Sequence, residues 1–220
     1  TFDGYSGGEG RWLEKTGGSV LLQSVTMSNQ SATTPTWNNV TVKNCCRGLR
    51  IQDSSGVYVK NCNIVKATGA NYSVSDNALY FAASTNTSAT GCQNCVFDNC
   101  TVEDAGQCAF HNIGGNNNTF KNCTMNGSNG AAMSCYNSNG TITLDNCSFT
   151  NANKKLSPEK TPWDGNTDNH NDAAVGLAVG AGDTNAVLIV KNCNFISGDG
   201  KVFNNTNNGK LYSIDNTIDL

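Results

Sequence analysis

Arg50, Tyr80, His111 and Tyr136 stand at matching places in successive stretches of this chain, and together they could recognise an acidic sugar. Aromatic rings stack on sugar faces, and a guanidinium pairs with a carboxylate through two parallel hydrogen bonds. The plainer reading of each is an isolated, solvated side chain on a sheet. His170, in Asp168-Asn169-His170-Asn171-Asp172, is a second candidate besides His111 for moving a proton near neutral pH. It is also readable as an ordinary loop histidine. Trp163 and Asp164 lie in the same stretch and would supply a stacking ring and a polar contact to substrate. Asp76, Asp172 and Asp199 each open a similar segment: Asp76-Asn77-Ala78-Leu79, Asp172-Ala173-Ala174-Val175 and Asp199-Gly200-Lys201-Val202. Carboxylates aligned on one edge could hold calcium, which takes six to eight oxygens; each could equally close a turn on backbone N–H groups.

These residues are carried by a repeat. Val42-Lys43-Asn44-Cys45, Val59-Lys60-Asn61-Cys62, Phe97-Asp98-Asn99-Cys100, Phe120-Lys121-Asn122-Cys123, Leu144-Asp145-Asn146-Cys147 and Val190-Lys191-Asn192-Cys193 share one frame. Degenerate copies stand at Leu22-Gln23-Ser24-Val25 and Ile214-Asp215-Asn216-Thr217. The period is about 24 residues with two enlarged steps, the signature of a repeat protein. Apolar residues alternate before each Asn and slip by one position after it, so each copy reads as strand, Asn corner, strand. A further apolar strand precedes each copy, as in Leu49–Gln52, Leu79–Ala82 and Val175–Val179. Three strands per turn predict an all-β, right-handed parallel β-helix of about eight coils. In-register stacking predicts an internal amide ladder of Asn44, Asn61, Asn99, Asn122, Asn146, Asn192 and Asn216, and beside it a column of buried cysteines.

On these motifs the chain resembles the pectate lyase-like superfamily of right-handed parallel β-helices, over roughly residues 20–218. The resemblance implies a secreted or cell-surface protein acting on an acidic polysaccharide or cell-surface glycan. The acidic corners are also similar to those of family nine polysaccharide lyases, where such residues bind calcium and a lysine on the adjacent strand is the base. Here that strand reads Val175-Gly176-Leu177-Ala178-Val179, without a lysine.

Residues 1–19 read as an N-terminal cap or partial coil and 20–220 as the β-helix, with a long loop inserted at 151–172. The coils continue to Leu220, which reads as a piece of something longer or as end-to-end stacking with further coils or subunits. Charged residues are only 14% and the net charge is −3; with no basic cluster, nucleic acid is not an expected partner. No apolar run approaches the ~20 residues of a membrane span. Of the eleven cysteines, six fall in register in one column, and free thiols are the expected reading rather than a disulfide framework. Two function classes remain: a carbohydrate-active protein that binds or cleaves an acidic polysaccharide, and a non-catalytic adhesive or fibre module in which the solenoid is a spacer.

Overall fold

A computed structural model describes residues 13–16, 20–23, 37–43, 48–67, 77–83, 91–106, 108–128, 130–137, 140–152, 173–179, 185–197, 201–205 and 209–219. Every regular element among them is a strand, and every strand pairing is parallel. The chain visits three sheets in turn. The first stacks Val20–Gln23, Leu49–Gln52, Leu79–Ala82, Phe110–Ile113, Met133–Asn137, Ala173–Val179 and Lys201–Asn205. The second stacks Trp37–Asn38, Tyr58–Lys60, Val96–Asp98, Asn118–Lys121, Thr141–Asp145, Val187–Lys191 and Lys210–Ile214. The third stacks Leu13–Thr16, Val40–Lys43, Asn63–Ala67, Thr101–Ala105, Thr124–Ser128, Ser148–Thr150, Asn194–Ile196 and Thr217–Asp219. This is a parallel β-solenoid.

The core follows from the period-two pattern. Inward positions bring Phe97, Phe120 and Phe81 together with Phe110, Phe149 and Phe195. Ring centroids are 5.4 Å apart for Phe97–Phe120, 5.0 Å for Phe110–Phe120 and 5.1 Å for Phe149–Phe195. A nearly continuous file of rings therefore runs along the axis. One corner between the first and second sheets needs glycine. Gly115 has φ +75°, and a Cβ there would come within 2.3 Å of the Cys92 carbonyl oxygen.

The corner asparagines depart from the expected internal ladder. Asn61, Asn99, Asn122, Asn146 and Asn192 all have φ between 51° and 54°, yet their side chains are exposed. The left-handed bend that favours Asn turns its side chain outward and buries the next residue, the cysteine. The amides still bond from coil to coil, at the surface. Asn61 Nδ2 donates to Asn38 Oδ1 at 2.7 Å, Asn99 to Asn61 at 2.7 Å and Asn146 to Asn122 at 2.9 Å. Asn122 and Asn192 instead donate to carboxylate oxygens of Asp98 and Asp145.

Two end copies of the repeat also differ. Trp37–Asn38 pairs with Val59–Lys60, and Thr41 with Asn63. Asn39 (φ 57°) therefore turns the corner expected of Asn44, and Val40 takes the cysteine place; Asn44, Cys45 and Cys46 lie outside the described residues. At the other end Lys191 aligns with Ile214, so Asp215 (φ 51°) turns the corner. Asn216 then sits where cysteine would, its Oδ1 accepting from Cys193 N at 2.8 Å.

The cysteines behave as expected. All nine among the described residues are buried and free. Those after the corners reach back across the bend. The thiols of Cys62, Cys100, Cys123, Cys147 and Cys193 donate to the carbonyl two residues earlier, at 3.3, 3.4, 3.1, 3.5 and 3.2 Å. Burial pushes the Cys108 and Cys135 thiols up to about 12. These thiols should therefore resist alkylation in the native protein, and all nine should titrate after unfolding without reductant. Truncating the ring at the centre of the file, Phe120→Ala, should cost roughly 3–5 kcal/mol in chemical denaturation.

Candidate functional site

The register of the first sheet decides which expected site residues meet. Arg50 aligns with Tyr80, Tyr80 with His111 and His111 with Ser134, because each is the outward residue of its strand at the same depth. Gly176 is next in line. Tyr136 is displaced by one outward position, opposite Ile113, so the fourth place in the row belongs to Ser134. Sequence alternation leaves these two equivalent, and only the strand register separates them.

Three of these side chains touch. The Arg50 guanidinium lies over the Tyr80 ring, 5.2 Å from its centroid. The His111 ring meets the Tyr80 ring edge-on, 4.8 Å between centroids. A cation over a ring face is attracted by the ring quadrupole, and the packing restricts the guanidinium's rotamers. Among the described residues, the buried Arg50 Nε has no hydrogen-bond partner, and no carboxylate pairs with Arg50. A buried donor without an acceptor is costly, so this edge favours an incoming anion.

The row is less solvated than outward positions on a sheet normally are. Tyr80 is 8% exposed, His111 7% and Ser134 fully buried. Neither expected reading, binding face or solvated surface, anticipates that covering, since alternation reports which side of the sheet a residue occupies and not what packs over it. His170, Trp163, Asp164, Asp76, Asp172, Asp199 and the rest of the insertion beyond Ala152 lie outside the described residues. Asp104 occupies a left-handed bend within Thr101–Ala105, at φ 56°. Among the described residues no group of three or more His, Cys, Asp or Glu is placed to hold a metal ion.

The second sheet carries a contrasting row. Lys60, Asp98, Lys121, Asp145 and Lys191 are in register, so their charges alternate along the row, which ends at Ile214. Lys121 lies 3.4 Å from Asp98 and Lys191 3.0 Å from Asp145. Tyr58 donates its hydroxyl to Asp98, and Lys121 passes over the Tyr58 ring at 5.2 Å. Burial alone would raise the Asp98 pKa. Hydrogen bonds from Tyr58 and Asn122 and the charge of Lys121 outweigh it, and the net shift is downward. This network satisfies itself, whereas Arg50 Nε finds no acceptor among the described residues.

Comparison of the chain with family models, with curated proteins and with solved structures gives no match.

The lowered Asp98 pKa has a defined sign. Its stabilisation is present above the ordinary carboxylate value and is lost as pH falls through the depressed native value. Melting temperature should therefore drop between about pH 5 and about pH 2. Asp98→Asn should be less stable at neutral pH and show a shallower acid loss, measured by calorimetry across that range.

Proposed function

We propose that this chain is a right-handed parallel β-helix of about eight coils, with a column of thiols beside its corners, that binds an acidic polysaccharide along its first sheet. The handedness rests on the strong preference of parallel crossovers. The observation that carries the binding reading is Arg50: a guanidinium held on an aromatic ring, its buried Nε without an acceptor among the described residues. A uronate carboxylate supplies the planar pair of acceptors that this edge matches. Strands at right angles to the solenoid axis put Arg50, Tyr80, His111 and Ser134 in a line about one strand spacing apart. A linear chain can follow such a line.

The resemblance to pectate lyases supports the same substrate class, a secreted or cell-surface setting and calcium as a bridge between carboxylates. Cleavage would be β-elimination: a base takes the proton from the ring carbon that bears the carboxylate, a double bond forms from that carbon to its neighbour, and the neighbour's bond to the glycosidic oxygen breaks, that oxygen leaving to take up a proton. His111 is the base this row offers, with Arg50 gripping the carboxylate; His170 is the other candidate. The near-complete burial of Tyr80 and His111 favours a second reading, a non-catalytic surface or fibre module whose outward row is structural.

Affinity electrophoresis in polygalacturonate, with and without calcium, separates these readings when combined with absorbance of unsaturated product. Retardation of the native chain, weakened tenfold or more in Arg50→Ala, supports the binding reading. Product that disappears in His111→Ala adds the lyase. No retardation by any acidic polysaccharide leaves the module.

A further inference from the structure

The third sheet presents an outer face of different chemistry. Its register aligns Thr41, Asn63, Thr101, Thr124, Ser148, Asn194 and Thr217 in one outward row. Beside it Glu103, Asn126 and Thr150 align in a second. Between the rows a shallow groove of about 310 Å³ is lined by Asn63, Thr101, Glu103, Thr124, Asn126, Ser148 and Thr150. That volume is at the lower end for ligand sites.

We infer that this groove binds an uncharged, hydroxyl-rich polymer, a neutral polysaccharide, laid along the solenoid axis. The first argument is charge. Seven consecutive outward positions carry no ionisable group, whereas the corresponding row of the second sheet alternates Lys and Asp. The architecture thus tolerates charge at such positions, and solubility alone would favour it. The single carboxylate of the groove, Glu103, repels a polyanion, so the ligand proposed for the first sheet is disfavoured here.

The second argument is hydrogen-bonding capacity. Thr101 Oγ1 donates to Asn63 Oδ1 at 2.6 Å, and Asn126 Oδ1 accepts from Asn151 at 3.0 Å. These two contacts orient the Asn63 and Asn126 side chains. The Thr124 and Thr150 hydroxyls make no side-chain hydrogen bond to any described residue. Donors and acceptors thus repeat at about 4.8 Å along the axis, a match for a chain that itself presents alternating hydroxyl donors and acceptors. With no aromatic platform in the groove, each contact is weak and wet. Affinity must therefore come from repetition and grow with polymer length.

The test is affinity electrophoresis of the intact chain in gels of mixed-linkage β-glucan, xylan or galactomannan, repeated at about 0.5 M NaCl, where exposed charge interactions are screened. Expected is retardation by at least one neutral polymer, undiminished by salt and unchanged in Arg50→Ala. Thr124→Val, which keeps shape and removes the hydroxyl, should weaken it about fivefold; Thr124→Lys should abolish it. Circular dichroism and melting of each variant establish that the fold is kept, and Thr150→Val is a second site should Thr124→Lys fail to fold. The inference is overturned if no neutral polymer retards the chain, or if retardation survives both Thr124 variants and Thr150→Val. Loss in Arg50→Ala overturns it too, by moving binding to the first sheet. Inhibition of ice recrystallisation without polysaccharide retardation would assign the face to ordered water instead. Failure with neutral polymers leaves the acidic-polysaccharide reading untouched, because that rests on a different sheet.

Discussion

Hydrogen bonding between one coil and the next is the constraint from which the rest of this structure follows. The Asn122 N–H donates to the Asp145 carbonyl at 3.0 Å and the Asn146 N–H to the Lys191 carbonyl at 3.0 Å, so even the corners are tied across coils. Parallel pairing sets each residue beside its counterpart one repeat away. Whatever one coil places at a position, the next must tolerate at one strand spacing. Bends therefore stack on bends, thiols follow thiols, and rings file along the axis.

The same stacking makes each outward row a chemical line. On the second sheet like charges would repel at strand spacing, and alternating Lys and Asp avoids that. Such exposed pairs are individually weak, so the row prevents mispairing more than it stabilises. Stability resides in the buried file of Phe81, Phe97, Phe110, Phe120, Phe149 and Phe195. The first sheet instead aligns a cation, a phenol ring and an imidazole, and the third aligns neutral hydroxyls and amides.

Where the repeat places a polar group inside, its satisfaction is local. Asn118 is fully buried. Its Oδ1 accepts from Cys95 N at 3.0 Å, and its Nδ2 donates to the Cys92 carbonyl at 2.8 Å. Asn216 holds Cys193 N and the Val190 carbonyl in the same way, at 2.8 and 2.9 Å. Asn112 is less complete: Nδ2 donates to the Gly114 carbonyl at 2.8 Å, while Oδ1 has no partner among the described residues. An unpaired buried acceptor costs stability.

Much of this was determined by sequence alone. Alternation marks the strands, since side chains in a strand switch faces at every residue, and it places Leu49–Gln52 and Leu79–Ala82 at the observed bounds. Repetition identifies the stacking, the charged row, the reduced cysteines and the alignment of Arg50, Tyr80 and His111, because in-register pairing follows from the period. Register at irregular copies was decided by the tertiary structure. Asn39 and Asn44 both follow apolar alternation, and only pairing with Tyr58–Lys60 and Asn63–Ala67 selects Asn39. The same holds for Asp215 over Asn216 and Ser134 over Tyr136. Exposure of the corner asparagines was also decided there, because residue type specifies a left-handed bend but not which way its side chain leaves the stack. The burial of Tyr80 and His111 belongs to the same class: a strand pattern encodes which face a residue occupies, not how far that face is shielded from water.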